Sequence, residues 1–263
     1  MNISESDVHL WYVYNEDIRD SNLLFQYYNI LNEDERRQQN RFHSEKDRHQ
    51  YLITRVAIRT ILSEYVREIE PAEWIFNKNS YGKPYIDSMP SDIPNLSFNI
   101  SHTNQLIVIA ITLERAIGVD VENMSRAEEV SDIAEYFFSP IEKKQLFSLS
   151  SSKFLNRFYD LWTLKEAYIK ALGMGLSIPL DCFSFSFCHR GKINLSLEPQ
   201  IKEHTNDEWR FWQVQPSGIY KVSIAMKSNC PVTKYSLSIR NIIPLIGVNE
   251  MNSPSSYGNL LFS

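Results

Sequence analysis

The segment from residue 162 to residue 176, WTLKEAYIKALGMGL, holds the densest set of side chains able to do chemistry. In a helix, Glu166 and Lys170 are four residues apart and share one face, with Lys165 beside them. Apolar residues recur at helical spacing, and Gly173 follows where a helix ends best with a residue that adopts positive φ. Such a Glu–Lys pair is most often only solvated, so the helix alone does not indicate a site.

A second candidate lies upstream in the segment IGVDVE, residues 117–122. Alternation along a strand places Gly118, Asp120 and Glu122 on one face and the β-branched residues on the other. Two acids at this spacing commonly only face solvent. If Glu166 faces them, three carboxylates converge, which is a hard-oxygen site suited to Mg²⁺ and to a substrate phosphate.

Two further residues could contact an anion. His102 directly follows the predicted strand FNIS and is either structural or a phosphate-binding group. Lys83 lies in YGKP, where Gly82 lets a backbone come close to a ligand and the lysine supplies a positive charge. The sequence lacks GxxxxGK[ST], GxGxxG and GxSxG, so Walker, Rossmann and hydrolase-elbow sites have no signature here.

The elements that must position these residues are segregated along the chain. An opening strand and helices precede a run of strands, and residues 128–172 and 183–240 repeat that order. This pattern predicts an α+β fold with antiparallel strands. We expect two lobes, residues 1–117 and 118–248, followed by a loose tail, residues 249–263.

Length and composition limit the remaining possibilities. The 263 residues carry a net charge of −5, which argues against a nucleic-acid partner. A small basic excess between residues 32 and 59 either steers an anionic ligand or belongs to an ordinary exposed helix. The longest apolar run, residues 106–113, is too short to span a bilayer, and no secretory signal opens the sequence. Three cysteines without metal-ligand spacing favour a reduced, cytoplasmic location and no zinc site.

Five blocks occur in a fixed order along the chain, namely YGKP, FNISHT, IGVDVE, FFSPIE and WTLKEAYIKALGMGLS. This ordered set resembles the Sfp-type 4′-phosphopantetheinyl transferases over residues 10–240. The resemblance implies two similar lobes related by a pseudo-twofold, each a small antiparallel sheet packed with helices, with the active site in the cleft between them. It also implies a monomer that holds coenzyme A in that cleft.

The implied reaction moves the phosphopantetheine arm of coenzyme A to a serine of an acyl or peptidyl carrier protein and releases adenosine 3′,5′-bisphosphate. By position, Asp120, Glu122 and Glu166 resemble the ligands of Mg²⁺, for which Mn²⁺ could substitute. Glu166 also resembles the base for the incoming serine. Lys170, with Lys165 nearby, is expected to neutralise the leaving phosphate.

The resemblance also implies a coenzyme-binding set. Residues 99–102 match the segment that contacts the coenzyme's phosphates, and residues 78–83 match the loop around its adenine and 3′-phosphate. The residues expected to bind the coenzyme are therefore Arg37, Arg41, Lys78, Gly82, Lys83, Asn99, Ser101, His102, Asp120 and Lys170.

One position departs from the family pattern. Members usually carry a basic residue four before the counterpart of Phe42, whereas this chain has Gln38, so Arg37 or Arg41 is expected to substitute. Two other functions remain open at this stage. The same acids could serve a Mg²⁺-dependent nucleotide pyrophosphohydrolase, or the fold could be a non-catalytic carrier-protein binder, which would need no such acids.

Overall fold

The computed structural model describes residues 1–87, 93, 95–125, 130–188, 192–198, 208–228 and 234–251. The helices are α1 (Ser21–Ile30), α2 (Glu33–Arg41), α3 (Glu45–Tyr65), α4 (Val130–Phe137), α5 (Pro140–Phe147) and α6 (Ser151–Leu172). The strands are β1 (Asp7–Tyr14), β2 (Phe76–Lys78), β3 (Pro84–Ile86), β4 (Leu96–Thr103), β5 (Leu106–Leu113), β6 (Ile117–Asn123), β7 (Phe183–Phe187), β8 (Ile193–Leu197), β9 (Glu208–Ser217), β10 (Tyr220–Ser228), β11 (Ser236–Ile243) and β12 (Gly247–Glu250). Cys230, the hairpin turn expected near residue 190 and the tail beyond residue 251 lie outside the described residues.

The N-terminal lobe is a five-stranded sheet in the order β12-β11-β1-β5-β4. One face of this sheet packs against α3 through a buried cluster that includes Trp11, Ile109 and Ile58. The N-cap of α3 is Ser44, whose hydroxyl accepts a hydrogen bond from the backbone of Asp47. The sheet and its long helix therefore form a core of their own.

The C-terminal lobe repeats the plan with a three-stranded sheet in the order β6-β10-β9, covered by α6. Its core includes Leu164, Tyr168 and Phe211. At its C-terminal end, α6 passes into Gly173, which has φ +67° and relieves the steric cost of a left-handed residue. The predicted α+β class and the two-lobe arrangement are confirmed.

A third buried cluster joins the two sheets face to face. It contains Val8, Leu10 and Val108 from the first sheet and Val119 and Ile224 from the second. In β6, alternate residues therefore face different partners: Val119 and Val121 pack on the other lobe, while the positions between them face α6. The alternation in IGVDVE thus separates a face that contacts the other lobe from a face that contacts α6, and neither face is simply exposed to solvent.

The end of the chain departs from the predicted lobe boundaries. β11 pairs in parallel with β1, with Leu10 opposite Ile239, and β12 extends the same sheet. Residues 236–250 thus belong to the N-terminal lobe, so the expected extent of the second lobe, residues 118–248, is wrong for these strands. Ile242 is buried in the core of the first lobe and Ile239 in the cluster between the two sheets, and burial of apolar area explains why the chain returns there.

Candidate active site

The site begins with an unusually close contact between β6 and α6. A Cβ atom at Gly118 would overlap the carbonyl oxygen of Ala167 and the backbone nitrogen of Ala171. Only glycine leaves room for the helix backbone at this position. Because Asp120 and Glu122 follow at two-residue steps, this contact aligns both carboxylates along the same helix face.

Lys170 of α6 and Asp120 of β6 meet directly. The Lys170 Nζ lies 2.6 Å from Oδ1 of Asp120 and 2.9 Å from Oγ of Ser101, and the Ser101 hydroxyl donates to the same Oδ1 at 3.0 Å. Asp120 is 3% exposed, so the ion pair is shielded from water on the carboxylate side. Lys170 and Ser101 therefore fix the orientation of the Asp120 carboxylate.

Glu122 and Glu166 add negative charge to this pair. Burial and the neighbouring charges of Asp120 and Glu166 raise the pKa of Glu122 to about 7, against the hydrogen bond from Trp162 Nε1, 3.3 Å from its Oε1. Burial and Asp120 likewise raise the pKa of Glu166. The Lys170 ammonium opposes the rise in both pKa values, so it partly compensates the negative charge of the cluster.

The donor set of this cluster fits a hard divalent cation, since it consists of carboxylate oxygens on one buried and two half-buried side chains. Oδ2 of Asp120 is buried and has no hydrogen-bond partner, which is unusual for a carboxylate oxygen. Among the described residues, however, no three acidic, histidine or cysteine side chains are arranged as a ready metal centre. The cation present among the acids is Lys170 itself, so the assignment of Asp120, Glu122 and Glu166 as metal ligands stays a prediction.

Comparison with known proteins shows which family this chain belongs to. Residues 19–114 match the family model of the 4′-phosphopantetheinyl transferase N-terminal region, and residues 116–226 match that of the 4′-phosphopantetheinyl transferase superfamily. The chain is 35% identical to the 4′-phosphopantetheinyl transferase ffp of Bacillus subtilis over 184 residues, 70% of this chain and 76% of that protein. It is 30% identical to the 4′-phosphopantetheinyl transferase Sfp of Bacillus subtilis (strain 168) over 196 residues, 74% and 81% of the two chains. The chain belongs to the Sfp-type 4′-phosphopantetheinyl transferase family.

The transferase also resembles a solved structure. The structure is that of a holo-(acyl-carrier-protein) synthase from Bacillus anthracis in complex with CoA (3′,5′-ADP). The match covers 43% of this chain and 94% of the synthase, at 22% identity and a TM-score of 0.37. No described helix of the transferase is both long enough and apolar enough to cross a membrane.

Lys165 is not part of the charged cluster, contrary to the sequence-based expectation. Its Nζ lies 2.8 Å from Oε2 of Glu142 and donates to the carbonyl oxygens of Leu180 at 2.7 Å and Phe183 at 2.6 Å. Both side chains of the ion pair are completely buried. Adjacent residues of a helix point about 100° apart, so Lys165 faces the lobe core when Glu166 faces the groove.

The YGKP loop is anchored to the C-terminal end of α6. Gly82 adopts φ +87°, as a close turn requires, and the Asn79 side chain donates to the carbonyl oxygen of Gly173 at 2.8 Å. The Lys83 Nζ donates to the carbonyl oxygens of Ile117 at 2.9 Å and Ala171 at 3.1 Å, and burial lowers its pKa to about 8. Lys83 is therefore a half-buried link between the lobes and not the mobile charge that the sequence suggested.

The segment 99–102 divides into two roles. Oδ1 of Asn99 accepts a hydrogen bond from the backbone of Val119 at 2.9 Å, and Asn99 is only 5% exposed, so its side chain joins β4 to β6. Ser101 contacts the Asp120–Lys170 pair as described. His102 is exposed, and partial desolvation together with the Lys170 ammonium lowers its pKa. Of this segment, His102 is the residue whose side chain is exposed.

A basic cleft of about 510 Å³ lies in the N-terminal lobe and brings together Arg37, Gln38, Arg41 and Lys78. Arg37 is paired with Asp34 and lies 3.9 Å from Glu33. Arg41 and Lys78 are exposed and form no ion pair within the described part of the chain. These two are the cations of the cleft whose charge is not already compensated.

Sequence reasoning did not assign Tyr51 and Arg55 to this cleft, although both line it. The Arg55 Nε donates to Oε1 of Glu35 at 2.6 Å, and the Arg59 Nη2 donates to Oε2 of the same acid at 2.9 Å. The signal was available, because Glu35 occupies the third position after the Asn32 helix cap and the arginines lie four apart on α3. Glu35 therefore cross-links α2 and α3 and shapes the cleft floor.

Proposed function

We propose that this transferase moves the phosphopantetheine arm of coenzyme A to a serine of an apo acyl or peptidyl carrier protein and releases adenosine 3′,5′-bisphosphate. The observation that carries the proposal is the convergence of Asp120, Glu122, Glu166 and Lys170 where β6 meets α6. The names of the relatives, all 4′-phosphopantetheinyl transferases, support the same reaction.

In this proposal Asp120, Glu122 and Glu166 hold a divalent cation, Mg²⁺ or Mn²⁺. The raised pKa values of Glu122 and Glu166 support it, because a cation beside them would relieve the repulsion from Asp120. When bound, the cation supplies charge stabilisation to the diphosphate of the coenzyme. Trp162 orients one of these ligands by donating its Nε1 hydrogen to Glu122.

The chain's own residues carry the proton and the charge. A serine hydroxyl needs a base within hydrogen-bond reach, and we assign that role to the Glu166 carboxylate, acting directly or through a water molecule. The serine Oγ bonds to the phosphorus that carries the pantetheine arm, while the bond from that phosphorus to the bridging oxygen breaks. The proton goes to Glu166, and the electron pair leaves with the bridging oxygen of adenosine 3′,5′-bisphosphate.

Lys170 is positioned to stabilise the charge that develops on the departing phosphate. Its ammonium already lies beside Asp120 and is about three-tenths exposed, so it can also reach an anion in the groove. His102 of β4 directly follows Ser101, which contacts Lys170, and is accessible to the same anion. These two groups supply preorganised donors with little movement of the backbone.

For the 3′-phosphate of the coenzyme we propose Arg41 and Lys78 in the basic cleft, because Arg37 is already paired with Asp34 and Glu33. A guanidinium can bind a phosphate through two parallel hydrogen bonds, which favours Arg41 as the main contact. This choice decides between the two arginines that the sequence left open. Gln38 lines the same cleft and can offer a neutral hydrogen bond.

The reaction requires one chain, since both lobes of the groove come from the same polypeptide, and we propose a monomer acting in the cytoplasm. We propose no nucleic-acid or membrane partner. The pyrophosphohydrolase and the non-catalytic binder are not favoured by the family membership. A single assay distinguishes the three functions by the products that it detects.

The test uses the purified full-length chain with coenzyme A, Mg²⁺ and a panel of apo acyl and peptidyl carrier proteins. Mass spectrometry should show one phosphopantetheine group added to the carrier serine, and the addition should disappear with EDTA. Release of adenosine 3′,5′-bisphosphate without a carrier would indicate a hydrolase instead. Binding of coenzyme A without any product would indicate a non-catalytic protein.

A further inference from the structure

Three polar side chains lie buried between α6 and the C-terminal sheet, and the reaction as proposed uses none of them. They are Thr163, Gln213 and Ser223, here called the polar row. Thr163 and Ser223 have no exposed surface and Gln213 is 6% exposed. Burying hydroxyl and amide groups is unfavourable unless each finds a partner, so such a row in a helix–sheet contact requires an explanation.

The side-chain donors of the polar row all have acceptors, and the hydrogen bonds run in one order, from β9 through β10 to α6. The Thr163 hydroxyl donates to the carbonyl oxygen of Tyr159 at 2.7 Å, which uses its only proton. The Ser223 hydroxyl, 2.6 Å away, must therefore be the donor to Thr163 Oγ1. The Gln213 side-chain nitrogen donates to Ser223 Oγ at 3.0 Å and to the carbonyl oxygen of Asp160 at 3.0 Å. The row thus joins two strands to one turn of α6.

The strand side of the polar row is in register with Asp120. Ser223 of β10 lies directly opposite Asp120 of β6, and Gln213 of β9 lies directly opposite Ser223. Directly opposite residues of antiparallel strands project from the same face. Asp120, Ser223 and Gln213 therefore form one line across the sheet under α6.

The helix side of the polar row is in register with the acid and the lysine of the site. Thr163, Glu166 and Lys170 are separated by three and four residues, so they follow one face of α6. A shift of Thr163 along the helix axis therefore moves Glu166 and Lys170 by the same distance. Their separation from Asp120 depends on where the polar row holds the helix.

The other directional contacts of α6 hold it against different elements, since the Lys165–Glu142 pair joins it to α5 and β7. Near the site the helix rests on Gly118 through Ala167 and Ala171, and small apolar surfaces have no directional preference. Hydrogen bonds are directional and lose strength with small displacements. Stability alone does not require the row, because replacing both partners of a buried hydrogen bond by apolar groups of the same shape costs little.

We propose that Thr163, Gln213 and Ser223 are positioning residues that set the register of α6 on the sheet, and so the distance from Asp120 to Lys170 and Glu166. The proposal rests on the proposed function for its catalytic consequence, but the register itself is a structural property. Removing a residue that orients a metal-ligating side chain typically changes metal affinity or activity ten- to hundredfold.

The decisive variants are Thr163→Val, which replaces the hydroxyl by a methyl group of the same shape, and Ser223→Ala. Thr163→Ser keeps the hydroxyl and serves as the rescue. Thr112→Val is the matched control, because Thr112 is equally buried and its hydroxyl donates to the carbonyl oxygen of Asp7 in the other lobe at 3.2 Å. Each variant is studied as the full chain by crystallography, by Mn²⁺ binding in paramagnetic resonance, by thermal unfolding and by steady-state kinetics.

We expect Thr163→Val and Ser223→Ala to lengthen the Lys170 Nζ to Asp120 Oδ1 contact beyond hydrogen-bond distance and to weaken Mn²⁺ binding roughly tenfold. The value of kcat should fall by a similar factor while KM for coenzyme A changes little, and Thr163→Ser should stay close to the wild type. Thr112→Val should lower Tm by a comparable amount without changing Mn²⁺ affinity or kcat.

The proposal is overturned if Thr163→Val folds with an unchanged Lys170–Asp120 contact and wild-type Mn²⁺ affinity, or if Thr112→Val impairs both as much. Should Thr163→Val not fold, Ser223→Ala carries the same readouts. If the wild type modifies no carrier, the proposed function fails, and the crystallographic contact alone still decides the role of the polar row.

Discussion

The Nζ atom of Lys165 lies 2.8 Å from Oε2 of Glu142, and neither side chain has any exposed surface. The second oxygen of Glu142 accepts a hydrogen bond from the backbone of Phe185 at 2.8 Å, and its ion-paired oxygen also accepts one from the backbone of Ser139 at 3.0 Å. The pair therefore links α5, α6 and β7 in the lobe core. One residue further along, Glu166 faces the groove, so a single turn of helix supplies both the support and the chemistry.

Removing one member of this pair should unfold the C-terminal lobe readily. We expect Lys165→Met to lower the free energy of unfolding by about 3–5 kcal/mol, because Glu142 is left buried and uncompensated. Urea unfolding of the single variant and of Lys165→Met/Glu142→Gln measures this, and the double variant should recover part of the loss. A variant with normal stability but a raised KM for coenzyme A would instead restore Lys165 to the phosphate site.

Gly118 should tolerate no side chain. In Gly118→Ala the new methyl group overlaps the backbone of Ala167 and Ala171, so α6 must move away from β6. We expect a loss of about 3 kcal/mol or more in the free energy of unfolding, together with loss of transfer activity. The matched control is Gly218→Ala in the β9–β10 turn, where a Cβ meets no atom within 4 Å. Equal stability of the two variants would contradict the close contact.

The acid cluster should be essential for transfer but not for folding. We expect Asp120→Ala and Glu166→Ala each to lower kcat by at least about a hundredfold, since each removes charge that the reaction requires. Circular dichroism should remain that of the wild type. The control Asp132→Ala alters an exposed acid of α4 and should leave kcat unchanged. Full activity of either cluster variant would mean that the metal and base assignments are misplaced.

The basic cleft can be tested with two forms of the coenzyme. Arg41→Ala should raise KM for coenzyme A roughly tenfold or more, the value of a charge-assisted hydrogen bond, and should change KM for 3′-dephospho-coenzyme A little. Arg37→Ala should affect neither, because Arg37 is already paired with Asp34. The reverse pattern would assign the 3′-phosphate to Arg37.

His9 makes the N-terminal lobe sensitive to acid. Burial and the nearby Arg240 lower its pKa from 6.5 to about 4, and its Nδ1 lies 2.7 Å from the Tyr65 hydroxyl. As the pH falls, the unfolded chain binds the proton first, so stability present at pH 7 is lost between pH 6.5 and 4. At pH 4.5 we expect a loss of about 2–3 kcal/mol from this group alone.

Urea unfolding at pH 7 and pH 4.5 tests the role of His9. The difference between the two pH values should shrink by that amount in His9→Gln and should persist in His43→Gln, which alters an exposed histidine. An undiminished difference in His9→Gln would assign the acid sensitivity to other groups.

Much of the site followed from local patterns. Alternation in IGVDVE gave the shared face of Gly118, Asp120 and Glu122, and the apolar spacing from residue 162 gave the C-terminal half of α6 and its end at Gly173. Asn32 and Ser44 cap α2 and α3 by accepting hydrogen bonds from the backbone of Glu35 and Asp47. These features depend on backbone geometry within a few residues, which is why the sequence determines them.

Only the tertiary structure decided which partner each side chain meets. Lys165 and Lys83 were expected at a phosphate, yet one pairs with Glu142 and the other bonds to the carbonyl oxygens of Ile117 and Ala171. The partners of the polar row lie 50 and 60 residues from Thr163, and β11 returns to a strand more than two hundred residues earlier in the chain. No local period encodes such distances, because they are set by how the lobes pack and which groups that packing buries.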